Sequence, residues 1–374
     1  MSAAAEQPQH TLSAQGPAPA QVVIGAGLGF IISSCMQTFT KLGIADRIAK
    51  GTTKVADLAA QTKFPEDALY RTLRVLEMAG IVREMAGRAF ALTDAGSLLR
   101  TDAQGSMRDI IQYMTDPLHY KVYGSFTDSL QRGKTPFEDV FGEPVFKWFF
   151  RPENREEAEV FHKGMVSFSS TCAPAFLESY DFTQFQHVLD LGGGLGGIVR
   201  AILKACPKVK GTIADLPEVI QQANQTITAD GLSSRCSTVA CDFFKSVPTG
   251  ADAYFMKHVL HDWNDQDATL ILKNIRAVIP SNGKLILGEA VVPSDGTPHP
   301  AKLIDIEMMT FLQGKERTEP EWRALLSGAG FKLNRVIYTK SPLDLIEAVP
   351  AEGRGRQDSE KTKRAEKSAL LHSD

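Results

Sequence analysis

Residues 189–199 read LDLGGGLGGIV, an apolar run in which an aspartate meets five glycines within six residues. Such a stretch marks a turn from strand to helix where backbone comes close to a nucleotide. Two spacings coexist. Gly192, Gly194 and Gly197 satisfy the dinucleotide pattern G-x-G-x-x-G, while Gly192, Gly194 and Gly196 satisfy the tighter G-x-G-x-G found around S-adenosylmethionine. The loop alone does not choose between them.

The acids around it carry more information. Asp190 precedes the glycines, Asp215 closes the run KGTIADLP, and Asp242 lies in STVACDFF. A dinucleotide pyrophosphate asks for backbone N–H groups at a helix N-terminus. S-adenosylmethionine has no phosphate. It offers an ammonium group, a sulfonium, ribose hydroxyls and an adenine amino group. Asp190 suits the ammonium, directly or through water, Asp215 the ribose and Asp242 the adenine. Any one acid also reads as a helix cap or a solvated loop residue. Three at successive strand ends favour a cationic ligand.

These residues need a scaffold, and the chain has two rhythms. From 21 to 180 it reads as mostly helical. Val55 to Ala60 and PEDALYRTLRVLEMAG are helices, the second packing through Leu69, Leu73 and Leu76 and ending at Gly80. IVREMAGRAFALT is a hairpin turning at Ala86-Gly87. Helix, turn, helix and hairpin make a winged-helix arrangement, used for DNA reading or for dimerisation. Basic and acidic residues between Gly51 and Arg100 nearly balance, seven against six, and the second helix sets Glu66, Asp67 and Glu77 against Arg71 and Arg74. A DNA reader shows a basic stripe. From 181 to 350, β-rich runs alternate with amphipathic stretches, the pattern of a doubly wound α/β sheet with ligands at the strand ends. Its helix NDQDATLILKNIRAVIP is expected to bury Leu270, Ile271, Ile275 and Val278. AGFKLNRVIYTK and PLDLIEAVP read as a late hairpin on the sheet edge.

Composition bounds the remaining classes. The 374 residues are 43% hydrophobic and 23% charged, with a formal net charge of -3, so no global field draws in nucleic acid or an anionic membrane. Five scattered cysteines without a C-x-x-C pair read as reduced thiols of an intracellular, cytoplasmic protein. The stretch Val22 to Cys35 is apolar but short and broken by three glycines, which reads as a buried helix rather than a membrane span. Residues 1–20 carry no secretory pattern and, like the charged residues 351–374, are expected to be disordered.

The segment MKHVLHDWNDQDATLILKNI (Met256 to Ile275) decides the ligand. It closely resembles the HDW segment of S-adenosylmethionine-dependent O-methyltransferases of the caffeic-acid and hydroxyindole type, a family with many bacterial tailoring members. FHKGM, LDLGGGLG, ADLP, HVLHDW and GKERTEPEW follow in family order across about residues 21 to 349. The resemblance implies a seven-stranded, doubly wound, Rossmann-like methyltransferase domain preceded by a mainly helical, winged-helix-like dimerisation domain, and therefore a homodimer. It implies that Gly192 and Gly194 line the methionine end of the cofactor, Asp215 holds the ribose, and Asp242 with Phe243 flanks the adenine. Lys257 and Ser169 are further cofactor contacts. His261 corresponds to the general base, Glu289 and Glu316 to the acids that hold its imidazole, and Asp262 to a residue positioning the acceptor or the loop. Met165 and Met308 fall at acceptor-pocket positions. Gly197 departs from relatives that carry a side chain there, and is read as easing the packing of strand on helix. His258 reads as packing. No metal is expected, because the histidines and acids offer no closed ligand set.

The activity expected is methyl transfer to a hydroxyl of an aromatic or polyketide-like small molecule. A same-fold enzyme with another reaction, a ligand-sensing winged-helix regulator and a nicotinamide oxidoreductase remain as alternatives. A near-neutral recognition helix, an intact His261 and the lack of a separate hydride-acceptor domain weigh against them.

Overall fold

A computed structural model describes residues 18–352. The chain forms two compact units, one up to Gln104 and one from Gly105 onward. The boundary expected at 180 marks where the β/α rhythm begins. Packing divides the chain earlier, because the long helix Arg155–Ser179 lies along Arg108–Met114 and against Gly197–Ala205, all in the second unit. The expected tails lie largely outside the described residues, although the helix Pro19–Gly27 begins inside the first of them.

In the first unit, the helix Glu66–Met78 buries Leu69, Leu73 and Leu76 at i, i+4 and i+7. The hairpin β1 (Val82–Met85) and β2 (Ala89–Leu92) follows it. The Arg88 guanidinium stacks 4.0 Å above the Tyr70 ring and faces Glu66 and Asp67 at 3.7 and 3.8 Å.

The apolar N-terminal stretch differs from its expectation. It is not one buried helix but two, Pro19–Gly27 and Gly29–Lys41, bent by 50°. Glycines at 25, 27 and 29 weaken helix continuity there. Within the single chain its apolar side chains stand in solvent: Val23 is 72% exposed, and Val22, Ile24, Leu28 and Phe30 are also exposed. Among the described residues no single helix is long and apolar enough to cross a membrane; this bent pair passes only when its halves are taken together, by length and composition.

The second unit is built on a seven-stranded sheet. Its strands are β3 (His187–Leu191), β4 (Lys210–Asp215), β5 (Cys236–Ala240), β6 (Ala253–Lys257), β7 (Lys284–Glu289), β10 (Phe331–Ile337) and β11 (Asp344–Pro350). A separate two-residue parallel pair joins β8 (Val291–Val292) to β9 (Arg317–Thr318). The sheet order is β10-β11-β7-β6-β3-β4-β5. The five strands from β7 to β5 are parallel, and the β10–β11 hairpin adds two antiparallel strands at one edge. Side chains alternate between two cores. Val188, Phe255 and Ile286 face one, and Leu189, Met256 and Leu287 face the other. Helices cover both faces, so the parallel strands read as nearly continuous apolar runs.

One helix face was misread. Asp265–Val278 buries Ala268, Ile271, Leu272 and Ile275, while Leu270 is 44% exposed. Positions i, i+3, i+4 and i+7 define one stripe. Leu272 belongs to it, and Leu270 lies off it.

Candidate active site

β3 delivers Asp190 and the glycine loop to the carboxyl edge of the sheet. The loop is tight. Gly196 has φ +76°, and a Cβ there would lie 2.2 Å from Ile213 Cδ1. A Cβ on Gly192 would lie 2.9 Å from Val259 Cγ2, with Phe243 just beyond. A Cβ on Gly197 would meet Ser169 Cβ at 3.1 Å. The missing side chain at 197 therefore admits the helix Arg155–Ser179, rather than easing packing onto the strand. The Ser169 hydroxyl donates to the Met165 carbonyl.

The three acids differ in setting. Asp190 is buried and tucked beneath Gly193. Burial pushes its carboxyl up to about 7, against the pull of the Lys257 ammonium. Asp215 is half-buried and accepts from the Gly194 and Leu216 N–H groups at 2.7 Å each. Burial raises its pKa, and those two bonds hold it down. Asp242 is partly open, accepts from Phe244 N–H, and pairs with Lys245 at 2.9 Å, which lowers its pKa. The Lys257 ammonium lies 5.5 Å from the Phe168 ring centre, and burial lowers its pKa.

The loop after β6 carries His258 to Trp263. His261 is buried, with Nδ1 2.7 Å from Glu316 Oε1 and Nε2 3.3 Å from Asp262 Oδ1. A carboxylate only accepts, so Nδ1 carries the proton shared with Glu316 and Nε2 is the nitrogen free for proton exchange. Burial alone would lower the pKa of this imidazole. Glu316, Asp262 and Glu289 outweigh it and lift the value to about 9. Asp262 is itself raised by burial to about 6.

His258 stacks between Phe168 at 5.0 Å and His261 at 4.1 Å. It takes φ +51°, uncommon for a non-glycine residue. Burial and the neighbouring cations His261 and Lys257 hold its pKa well below the histidine range, so only one of the stacked rings takes the charge. Ligand-type atoms of His258, His261 and Glu316 lie within 4.8 Å of one another. The two rings are inclined by only 28°, so their in-plane lone pairs do not converge on one nearby point, as a shared metal would require.

Glu289, at the end of β7, makes no hydrogen bond to the imidazole. Its Oε1 accepts from the backbone N–H groups of Val259 and Leu260 at 3.1 and 3.0 Å. It shapes the loop and acts on His261 through its charge; burial pushes its carboxyl up to about 7.

Two residues that pack against this loop escaped the sequence reading. Arg317 is fully buried and donates to Asp265 Oδ1 and to the carbonyls of Leu260, Trp263 and Lys315. A Cβ on Gly314 would lie 1.9 Å from the His261 carbonyl oxygen, so only glycine lets these two backbones meet. Both stand in GKERTEPEW, beside Glu316, where an unexplained basic residue and a glycine were the available signal.

The arrangement fits S-adenosylmethionine in its chemistry: a cradle closed to side chains, half-buried Asp215 at the loop, and Phe243 against Gly192. A model of the O-methyltransferase domain matches residues 123–332, and one of the O-methyltransferase dimerisation domain matches residues 26–102. The chain belongs to the O-methyltransferase family. This O-methyltransferase is 34% identical over 322 residues to a phenazine O-methyltransferase of Lysobacter antibioticus, covering 86% of this chain and 94% of that one. It is 32% identical over 304 residues to an 8-amino-8-demethylriboflavin N,N-dimethyltransferase of Streptomyces davaonensis, covering 81% and 88%. Human N-acetylserotonin methyltransferase, solved with S-adenosylmethionine, superposes with a TM-score of 0.81 at 25% identity, covering 91% of this chain and 100% of that chain. S-adenosylmethionine is the cofactor of this O-methyltransferase.

Proposed function

We propose that the chain methylates a hydroxyl of an aromatic or polyketide-like small molecule, with His261 as general base. The observation that carries this reading is His261 itself: a buried imidazole anchored at Nδ1 by Glu316, with Nε2 left to exchange a proton. Bound S-adenosylmethionine supplies a sulfonium methyl open to in-line displacement. His261 Nε2 would take the acceptor's hydroxyl proton as the oxygen is methylated. A phenol near pKa 10 and an ordinary histidine near 6.5 differ by about 5 kcal/mol in proton affinity. An imidazole raised to about 9 closes most of that gap. Asp262, 3.3 Å from Nε2, orients the acceptor hydroxyl as it enters.

In this reading Asp190, Gly192 and Gly194 serve the methionine end, Asp215 the ribose, and Asp242 and Phe243 the adenine. Lys257 and Ser169 flank the cofactor, and Met165 and Met308 pack on the acceptor. Exposed Val22 to Phe30 close a homodimer, which acts in the cytoplasm without nucleic acid, membrane or metal. The relatedness to an N,N-dimethyltransferase supports a second reading, an amine acceptor at the same site.

Purified protein incubated with S-adenosylmethionine and separate phenol and arylamine libraries tests both readings by mass spectrometry. A product one CH₂ heavier from phenols supports the first, and methylated amines alone overturn it. His261→Ala is expected to keep cofactor affinity and to lose about 10²–10⁴ in turnover. The loss should shrink for nitrophenols, which ionise unaided. Equal loss on acidic and ordinary phenols would remove His261 from the base role.

A further inference from the structure

A second buried imidazole belongs to none of the motifs above. His119 lies in the helix Pro117–Tyr123, capped by Asp116. Asp116 Oδ1 accepts the His119 backbone N–H at 3.1 Å and lies 3.0 Å from its Nδ1. On the other side, Nε2 is 2.8 Å from Glu307 Oε1. The second Glu307 oxygen accepts from the Tyr123 hydroxyl at 2.6 Å. Phe311 packs on the ring at 4.6 Å, and Tyr113 meets it edge-on at 4.9 Å.

Both ring nitrogens face carboxylates, so only the protonated ring can donate to both. Burial opposes that charge, but the bonds to Asp116 and Glu307 more than offset it and raise the pKa to about 9. The charged and titratable groups facing His119 are thus Asp116, Glu307, Tyr113 and Tyr123, and burial with Glu307 raises both phenols.

Glu307 and Phe311 stand one turn apart on the helix Ala301–Phe311. The same helix carries Met308 and Asp305. Asp305 Oδ1 accepts the Glu316 N–H at 2.8 Å, and Glu316 holds His261 Nδ1 at 2.7 Å. One helix and three hydrogen bonds therefore join the two imidazoles.

We propose that His119 is a positioning residue for methyl transfer: bridging Asp116 and Glu307, it holds the helix Ala301–Phe311 where Asp305 presents Glu316 to His261. The proposal rests on the reading of His261 as the base. Without the bridging cation, buried Asp116 and partly buried Glu307 lose their charged partner, and the helix keeps the Tyr123 hydroxyl bond as a polar tie to Pro117–Tyr123. A displacement near 1 Å at a reacting group costs on the order of 10²-fold.

The test uses full-length His119→Gln, Glu307→Gln and Tyr123→Phe, the last removing a single hydroxyl as a fallback should the others fail to fold. Calorimetric titration with S-adenosylmethionine counts competent sites. Turnover per site, acceptor KM and the ¹⁵N resonances of the His261 ring across pH are then measured. We expect cofactor affinity within about twofold of wild type, and turnover per site down about 10- to 100-fold in His119→Gln. Acceptor KM rises, and the His261 midpoint falls toward the ordinary histidine range. Tyr123→Phe moves the same way by less. Wild-type turnover per site, KM and His261 midpoint in the folded variants, whatever their melting temperature, would overturn the proposal and leave His119 a packing residue. If wild type methylates nothing, the base reading fails, while the ring resonances still report whether His119 acts on His261.

Discussion

At the scale of single residues, the ionisation of His261 sets an expectation for pH. Its pKa lies near 9 because Glu316, Asp262 and Glu289 more than compensate burial. Below that value the ring holds its proton and cannot take another, so kcat/KM rises with pH and levels off above about 9. Glu316→Gln removes the carboxylate at Nδ1, and the midpoint falls toward 6.5. A wild-type midpoint already near 6.5, unmoved in Glu316→Gln, would contradict this. Some of the site was legible at this scale. The glycine loop and Asp215 announced themselves by spacing, and the structure joins them through one hydrogen bond. The work of Glu289 was not legible, because backbone N–H groups leave no trace in a sequence. The conformation of His258 was equally hidden, since nothing in its identity asks for a positive φ.

At the scale of elements, the loop that carries His261 is held from outside. Arg317 ties the loop carbonyls of Leu260 and Trp263 to Asp265 and to the Lys315 carbonyl from its buried place beside Trp322. Arg317→Met keeps the apolar bulk and leaves those acceptors unpaired. It should cost about 2–4 kcal/mol in denaturant unfolding and lower turnover more than cofactor affinity. An unchanged unfolding midpoint with full turnover would show that the loop keeps its shape unaided. Strand identities in the sheet were readable because parallel strands bury both faces and appear as apolar runs between turn residues. The helix Asp265–Val278 was found while its stripe was misplaced: Leu270 and Leu272 are chemically alike, and only the register decides which one is buried. The helices from 105 to 180 have no strand rhythm, so their membership of the second unit rests on packing alone.

At the scale of the whole molecule, two expectations follow. Val22, Val23, Ile24, Leu28 and Phe30 leave a contiguous stretch of chain with apolar side chains in solvent. Each such side chain gains about 1.5–3 kcal/mol when fully buried. Light scattering should report twice the chain mass of 40.8 kDa, and the double substitution Val23→Asp with Phe30→Asp should return the monomer. A monomer for the unaltered protein would contradict the homodimer. The second expectation is thermal. His119 and His261 both have folded-state values near 9, above the unfolded 6.5. The folded protein holds their protons more tightly, so their stabilisation is complete below about 6.5 and is lost as pH climbs through 9. The melting temperature of the cofactor-free protein should fall across that window, and less steeply in His119→Gln. A flat or rising profile in wild type would refute the assignment of both charges.

The short parallel pairing of β8 with β9 has a consequence for how such a protein can diversify. Val291 pairs with Arg317 and Val292 with Thr318, so the chain between them leaves and returns at one zipped point. The helix Ala301–Phe311, with Met308, rides on this closed excursion, and Asp305 and Glu307 moor it. Lengthening a closed loop is cheap, about 0.6 kcal/mol per doubling. The helix it carries can therefore be rewritten as a cassette while the sheet and the histidine loop keep their geometry, provided the mooring acids Asp305 and Glu307 travel with it and Gly314 and Glu316 stay against His261. Acceptor range can thus evolve piecewise, separately from the chemistry of transfer.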